Sequence, residues 1–235
     1  MIKTRIGIGN TAEVFEHGDD KVLKLYYESQ PASSIYQEFN KTQAFNQSGI
    51  PCPKAFEVVR HNNRLGIVFE KVQGKSLLNV LINSGDVEYT SNILASLHQA
   101  ILSKTSTILP SYKTFLFQYV NGNDTETLAL IDKLDDDNTL CHGDFHPGNI
   151  IMNHEQAVVI DFMNACSGPR LYDIARTYYL IRYSPVPPYI KDQDAIKKLQ
   201  VILSDQYLHK MGVRREILED YLTVIAKTRD SEMKK

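Results

Sequence analysis

The chain is 235 residues long and carries 26 Lys and Arg against 28 Asp and Glu, a formal charge of -2. The length fits one large domain or two small lobes with room for a true core, and the balanced charge argues against a basic stripe selected for nucleic acid or an anionic membrane. Hydrophobic residues at 43% and charged ones at 23% match ordinary globular usage, which excludes a disordered chain or a coiled coil.

The opening Met1-Ile2-Lys3-Thr4-Arg5-Ile6 is too polar and irregular for the apolar core of a signal peptide, and no stretch approaches 18 apolar residues; a cytoplasmic protein is expected. β-Branched and aromatic runs then predict strands at Arg5–Ile8, Ala12–His17, Lys21–Tyr27, Ala55–Arg60 and Leu65–Lys71. Gly18-Asp19-Asp20 and His61-Asn62-Asn63 suit the hairpin turns, because Gly and Asn tolerate left-handed backbone angles. A single helix interrupts these strands. Over Ser33–Gln47 it places Ile35, Phe39, Ala44 and Phe45 near helical spacing, and it stops at Gly49 and the Pro51-Cys52-Pro53 breaker. The three cysteines, Cys52, Cys141 and Cys166, are far apart and form no Cys-x-x-Cys pair, so reduced, buried thiols are expected.

After Gly74 the pattern turns helical, at Leu77–Ile82, Tyr89–Leu102, Tyr112–Val120 and Glu126–Leu134. Extended segments return at Gly148–Met152 and Gln156–Ile160 around an Asn153-His154-Glu155 turn. Further helices are expected at Leu171–Tyr183, Lys191–Lys210 and Arg215–Lys227, with Pro185, Pro187 and Pro188 in the first gap and a loose charged tail at Asp230–Lys235. The expected class is α+β: an antiparallel sheet lobe with one helix at 1–72, then a mainly helical lobe at 73–235.

The most polar motif is Cys141-His142-Gly143-Asp144-Phe145-His146-Pro147-Gly148-Asn149-Ile150-Ile151, followed by Asp161 in Val158-Val159-Ile160-Asp161-Phe162. Phosphoryl transfer needs a carboxylate to receive or orient a hydroxyl proton, and hard oxygen ligands to hold magnesium on the nucleotide phosphates. Asp144, Asn149 and Asp161 are of those types, although Asp and Asn also serve as plain turn residues.

In order and spacing these motifs resemble the catalytic loop and magnesium aspartate of the kinase superfamily, and His-Gly-Asp-x-His-x-x-Asn resembles its aminoglycoside phosphotransferase and choline kinase branch. The resemblance implies a protein kinase-like bilobal fold, with a nucleotide-binding N-terminal lobe and a catalytic, acceptor-binding C-terminal lobe. It makes Asp144 the catalytic carboxylate, Asn149 and Asp161 the ligands of Mg2+, His146 a loop-organising residue, and ATP or GTP the phosphoryl donor. Phe162-Met163 departs from the Asp-Phe-Gly triplet of protein kinases, a departure frequent in this branch.

Upstream, Lys24 lies in the alternating strand Val22-Leu23-Lys24-Leu25-Tyr26, on the face of Val22. The resemblance makes it the nucleotide lysine, ion-paired to Glu38 on the lobe's helix. Gly7-Ile8-Gly9-Asn10-Thr11-Ala12-Glu13-Val14 resembles the glycine-rich flap, where Gly7 and Gly9 let backbone N–H groups approach phosphates and Ala12 replaces a third glycine. Phe69-Glu70-Lys71-Val72-Gln73-Gly74 resembles the hinge, where the backbone of Glu70 and Val72 would bind adenine and Val14, Val22, Ile151 and Ile160 would sandwich it. Tyr172-Asp173-Ile174-Ala175-Arg176 resembles the family's Asp-(Leu/Ile)-Ala helix start, which implies that Asp173 caps the helix and braces the loop. His98 reads as a packed histidine.

Only twelve positions separate Asp161 from Asp173, too few for a peptide-binding activation segment, so the expected acceptor is a small hydroxylated molecule. For a cationic amine on that acceptor the candidate contacts are Asp192, Asp194, Asp205, Glu216, Glu219 and Asp220, although such charges more often belong to a solvated helix face. Tyr178, Tyr179 and Tyr183 either line the pocket or pack the core. The reading is a small-molecule kinase with no nucleic-acid or membrane partner. A compact atypical protein kinase and a nucleotide-binding pseudokinase are the alternatives, the second opposed by the presence of Lys24, Asp144, Asn149 and Asp161.

Overall fold

A computed structural model describes residues 4–154, 156–186 and 192–232. Glu155, Pro187, Pro188, Lys191 and the last three residues of the expected tail lie outside the described residues. In chain order the first elements are β1 (Arg5–Ile8), β2 (Ala12–Glu16), β3 (Lys21–Tyr26), α1 (Ala32–Gln47), β4 (Ala55–His61), β5 (Arg64–Glu70), β6 (Lys75–Ser76), α2 (Leu77–Ser84) and α3 (Val87–Leu102). They are followed by α4 (Tyr112–Phe117), α5 (Thr125–Lys133), β7 (Thr139–Cys141), β8 (Ile150–Asn153), β9 (Gln156–Val159), β10 (Cys166–Gly168), α6 (Arg170–Tyr183), α7 (Gln193–Met211) and α8 (Glu219–Glu232). The chain divides into two compact units, Met1–Lys75 with Ile151–Met163, and Ser76–Ile150 with Asn164–Lys235.

In the first unit β1 to β5 form one antiparallel sheet, ordered β1-β2-β3-β5-β4. Alternation along β3 and β5 gives the sheet two apolar faces. Leu23, Leu25 and Val68 gather on one, while Tyr26, Ile67 and Phe69 join Ile35 of α1 on the other, with Val22 packed beside them. Each such large apolar side chain contributes about 1.5–3 kcal/mol when fully buried, which seats α1 on that face. Lys24 has the parity of Val22 and Tyr26, so it points toward α1 rather than into solvent. The segment after residue 150 joins this unit through Phe45 of α1 and Phe162, both fully buried with ring centroids 4.3 Å apart. There β8 pairs with β9 and with β6. A Cβ on Gly74 would stand 2.0 Å from the Met152 oxygen, and its φ is 138°, so only glycine fits where β6 meets β8.

The described residues of the second unit are mainly helical, with a two-stranded sheet of β7 and β10 in which Cys141 faces Cys166. Its helices start where short polar side chains stand before an apolar run: Ser76, Asp86, Ser111, Asp124 and Asp192 each accept a backbone N–H of the following turn. α3 packs against α7, and α6 against both α7 and α8. The cysteines are free thiols, Cys141 and Cys166 buried and Cys52 half-buried. Among the described residues no helix is long and apolar enough to cross a membrane.

Several expectations change in detail. The helix expected to reach Val120 ends at Phe117, and the one expected over Arg215–Lys227 is a 3-10 turn at Arg215–Leu218 followed by α8. The tail is corrected: Asp230 to Glu232 remain helical, because Glu232 forms ion pairs with Arg176 at 2.6 Å and Arg229 at 2.8 Å.

Candidate active site

In the first unit the flap residues form the β1–β2 hairpin. Gly7 pairs with Val14, and the Gly9 N–H closes the turn on the Ala12 oxygen at 2.8 Å. Lys24, delivered by β3 and opposite Val14 in β2, meets two carboxylates: Nζ is 2.7 Å from Glu38 Oε1 and 2.9 Å from Asp161 Oδ1. Burial works against the Lys24 charge, but Asp161 and Glu38 outweigh it and hold the ammonium protonated. Burial pushes the Glu38 carboxyl up, with Lys24 opposing and Asp161 adding. The other Glu38 oxygen accepts the Tyr26 hydroxyl at 2.7 Å, so this buried carboxylate is satisfied on both sides.

Asp161 lies just past β9 with a left-handed φ of 68°, a conformation that Asp tolerates, and its side chain is 40% exposed. One turn beyond Glu38, Lys41 donates to the Met163 oxygen at 2.6 Å, so α1 fixes the Asp161 segment through a second lysine. Val14, Val22, Ile151 and Ile160 are all half-buried apolar residues of this unit, open enough for a ligand to cover. At the expected hinge the Glu70 N–H is taken by the Lys54 oxygen at 2.9 Å, and Val72 is a half-buried loop residue.

In the second unit β7 ends at Cys141 and the catalytic-loop motif follows. The Asn149 amide donates to the Asp144 backbone oxygen at 2.9 Å and to Oδ2 at 3.1 Å. A 3-10 turn at Pro147–Asn149 creates that reach, with His146 Nδ1 accepting the Gly148 N–H at 3.0 Å. His146 therefore organises the loop, and its Nε2 lies 3.8 Å from Asp144 Oδ2. Both neighbours sit on Oδ2; Oδ1 of Asp144 has no partner among the described residues.

Asp173, fully buried on α6, accepts the N–H of His142 at 2.7 Å and of Gly143 at 2.9 Å. It braces the loop as expected, but it does not cap its helix, whose N-cap is Pro169, three residues before the first turn closes on it. Burial would raise the Asp173 carboxyl; the His98 hydrogen bond and charge, His142 and the Gly143 N–H together bring it below its ordinary value. Since a carboxylate only accepts, His98 carries a proton on Nε2, 3.0 Å from Asp173, and its Nδ1 lies 2.6 Å from the Tyr207 hydroxyl. His98 is a packed, bracing residue.

Among the acidic acceptor candidates, Asp192 caps α7, Asp205 pairs with Arg182 at 3.0 Å and Glu219 with Arg215 at 3.1 Å; Tyr178 is buried, while Tyr183 is 51% exposed. A cavity of about 470 Å³ in this unit is lined by Asp135, Asp137, Arg170 and Tyr221, next to the start of β7 and thus at the far end of that strand from Asp144. Sequence reasoning missed Tyr26, Lys41, Tyr207 and Arg176. Only Arg176, inside the Asp-Ile-Ala-Arg motif, carried a signal that could have exposed it.

Residues 114–197 match the profile of the phosphotransferase enzyme family. No curated protein matches the sequence significantly. Among solved structures, the amicoumacin kinase hAmiN, in complex with AMP-PNP, Ca2+ and Ami, is similar at a TM-score of 0.61 and 17% identity, covering 97% of this chain and 79% of that one. An aminoglycoside-3'-phosphotransferase of type VIII gives 0.63 at 14% identity, over 97% and 92% of the two chains. A choline/ethanolamine kinase family protein from Mesorhizobium loti gives 0.60 at 12% identity, over 97% and 77%. At such identities the likeness is one of fold. It bears out the protein kinase-like bilobal architecture, and together with the family match it bears out the resemblance to the aminoglycoside phosphotransferase and choline kinase branch.

Proposed function

We propose that this chain is a small-molecule kinase that moves the γ-phosphate of ATP or GTP to a hydroxyl of its acceptor. The observation that carries the reading is the Lys24 ammonium held between Glu38 and Asp161. A lysine fixed this way has one geometry and a full charge, which is what positioning a phosphate requires. Gly7 and Gly9 would admit the phosphates to the flap backbone. Val14, Val22, Ile151 and Ile160 would cover the base, with Glu70 and Val72 offering backbone groups to its edge. The sheet unit is then the nucleotide-binding lobe and the helical unit the catalytic, acceptor-binding lobe.

Asp144 receives the acceptor's hydroxyl proton on Oδ1, because Asn149 and His146 crowd Oδ2. Orientation and charge neutralisation supply most of the rate, as the metaphosphate-like transition state needs little covalent help. Each of the two expected ligands is of a kind that magnesium takes. Asp161 offers a part-exposed carboxylate, and Asn149, whose nitrogen is engaged with Asp144, offers its carbonyl oxygen. Magnesium takes one or two protein oxygens and completes its shell with phosphates and water. When bound, it would neutralise phosphate charge. The names of the similar structures, all kinases or phosphotransferases of small molecules, support an acceptor of that kind, as does the short span between Asp161 and Asp173.

The test is magnesium-dependent ADP release from ATP, and GDP release from GTP, across aminoglycosides, amino alcohols, sugars and nucleosides, with Asp144→Ala as background. Acceptor-stimulated release that the variant abolishes is the expected outcome. Equal turnover in Asp144→Ala overturns the role of that residue. Labelled phosphate that appears only on protein turns the assignment to a protein kinase.

A further inference from the structure

We infer that Arg176 is a positioning residue for the catalytic loop, and that the end of the last helix holds it in place through Glu232. The kinetic part rests on phosphotransfer at Asp144; the structural part stands without it.

Arg176 has no exposed surface. A guanidinium is always charged, so at such a site it needs partners matched to its fork of donors. It has two. Nε donates to the Gly143 oxygen, and Nη2 donates to Glu232 Oε1 at 2.6 Å. The Phe115 ring lies 4.8 Å from the guanidinium carbon, and Nη1 has no hydrogen-bond partner among the described residues. Glu232 is thus its one counter-charge in direct contact among the described residues, kept in reach by Arg229 at 2.8 Å on the same helix.

The atom Arg176 grips decides what the contact does. The Gly143 carbonyl belongs to the peptide bond that leads into Asp144. The N–H of that same peptide donates to His142 Nδ1 at 3.2 Å. A peptide is planar, so holding its oxygen from one side and its N–H from the other fixes the plane from which the Asp144 side chain departs. Gly143 is confined further. Its own N–H is held by Asp173, its φ is 74°, and a Cβ there would stand 2.2 Å from the Asn164 oxygen. The Asn164 amide in turn reaches Glu232 Oε1 at 3.5 Å. Two residues one helical turn apart on α6 therefore set the loop: Asp173, fixed by His98 of α3, and Arg176, fixed by Glu232 of α8. Arg176 has no exposed surface with which to meet a substrate, so it and Glu232 act through Asp144.

The experiment follows hydrogen exchange of peptides spanning 140–150, with β3 as internal reference, alongside kcat and nucleotide KM, in the full chain carrying Glu232→Ala, Glu232→Gln or Glu232→Asp. For Glu232→Ala, loop exchange should rise about tenfold and kcat should fall about tenfold, since small misplacements of reacting groups reach 100-fold effects. β3 exchange and nucleotide KM should stay within about twofold, and Glu232→Gln, which keeps an acceptor oxygen for Arg176, should recover most of the loss. Loop exchange equal to wild type overturns the inference. So does exchange that rises as much in β3, or a Gln variant no better than Ala. Should Glu232→Ala fail to fold, Glu232→Asp, one methylene short, is expected to raise loop exchange about threefold, and no rise there overturns the inference equally. A wild-type chain that phosphorylates nothing defeats the kinase assignment, while the exchange data still decide whether Glu232 holds the loop.

Discussion

One amide grips Asp144 at both ends: Asn149 Nδ2 lies 2.9 Å from its backbone oxygen and 3.1 Å from its carboxylate. Asn149→Ala removes that grip and a proposed magnesium ligand together. We expect kcat to fall about 100-fold and the magnesium concentration for half-maximal rate to rise, both read from ADP release at varied metal. A variant with only the rate affected, and an unchanged magnesium requirement, would remove Asn149 from the metal site.

Lys24→Met leaves the Glu38 carboxylate buried with the Tyr26 hydroxyl as its one remaining hydrogen-bond partner among the described residues. Breaking one side of a buried pair costs about 3–5 kcal/mol, so urea unfolding at neutral pH should show a loss of that order. The sign with pH follows from burial, which already raises Glu38. Stability of the variant should recover as pH falls and the carboxyl accepts a proton, and decline as pH rises. A deficit that is flat between pH 4 and 8 would show that Glu38 is not the strained group.

Gly143→Ala meets two obstacles, a left-handed backbone and the Asn164 oxygen 2.2 Å from the new Cβ. The backbone conformation alone costs about 1–2 kcal/mol for a non-glycine residue, and the contact forces the loop away from Asp173 and Arg176. The melting temperature should drop by several degrees and turnover should be lost. An active Gly143→Ala enzyme would mean that the loop's confinement is irrelevant to Asp144.

The Arg176–Glu232 pair gives a second dependence on pH. Burial raises Glu232, but the Arg176 charge, with the hydrogen bond and charge of Arg229 and the Arg176 hydrogen bond, brings it below its ordinary value of 4.5. A depressed carboxyl stabilises the fold above its unfolded value, and the contribution disappears as pH falls from about 4.5 through the folded value. Wild type should therefore lose more stability than Glu232→Gln over that interval in acid-titrated denaturation. Parallel curves would remove this pair from the acid sensitivity.

The sheet unit was largely legible because alternation is local. The residue sets of all five strands and of α1 follow from runs of β-branched and aromatic residues with Gly or Asn at the turns, and the parity of Lys24 placed it on the face of α1, where Glu38 waits. What escaped depends on long-range contacts. β7 and β10 are three residues each, too short to show a period, and the tail looked loose because Glu232's partner Arg176 lies 56 positions away. Asp173 was expected to brace the loop and does, yet its place inside α6 rather than at the cap is set by Pro169, which fixes the helix start without a side-chain bond. Lys41 carried no signal in the sequence because its carbonyl partner, Met163, lies 122 positions on.

The first unit is discontinuous, and its central ion triad spans 137 positions between Lys24 and Asp161. During synthesis at about 5–20 residues per second, Lys24 and Glu38 wait roughly 7 to 27 seconds on the ribosome for that third partner. Throughout this interval the sheet lacks Phe162 against Phe45 and the strand that meets Gly74, so the nascent lobe presents an uncovered apolar edge until the helical unit is well under way. A stalled or truncated product ending before Asp161 is therefore a natural client for chaperones, whereas the lobe becomes self-sufficient only as the middle of the second unit emerges.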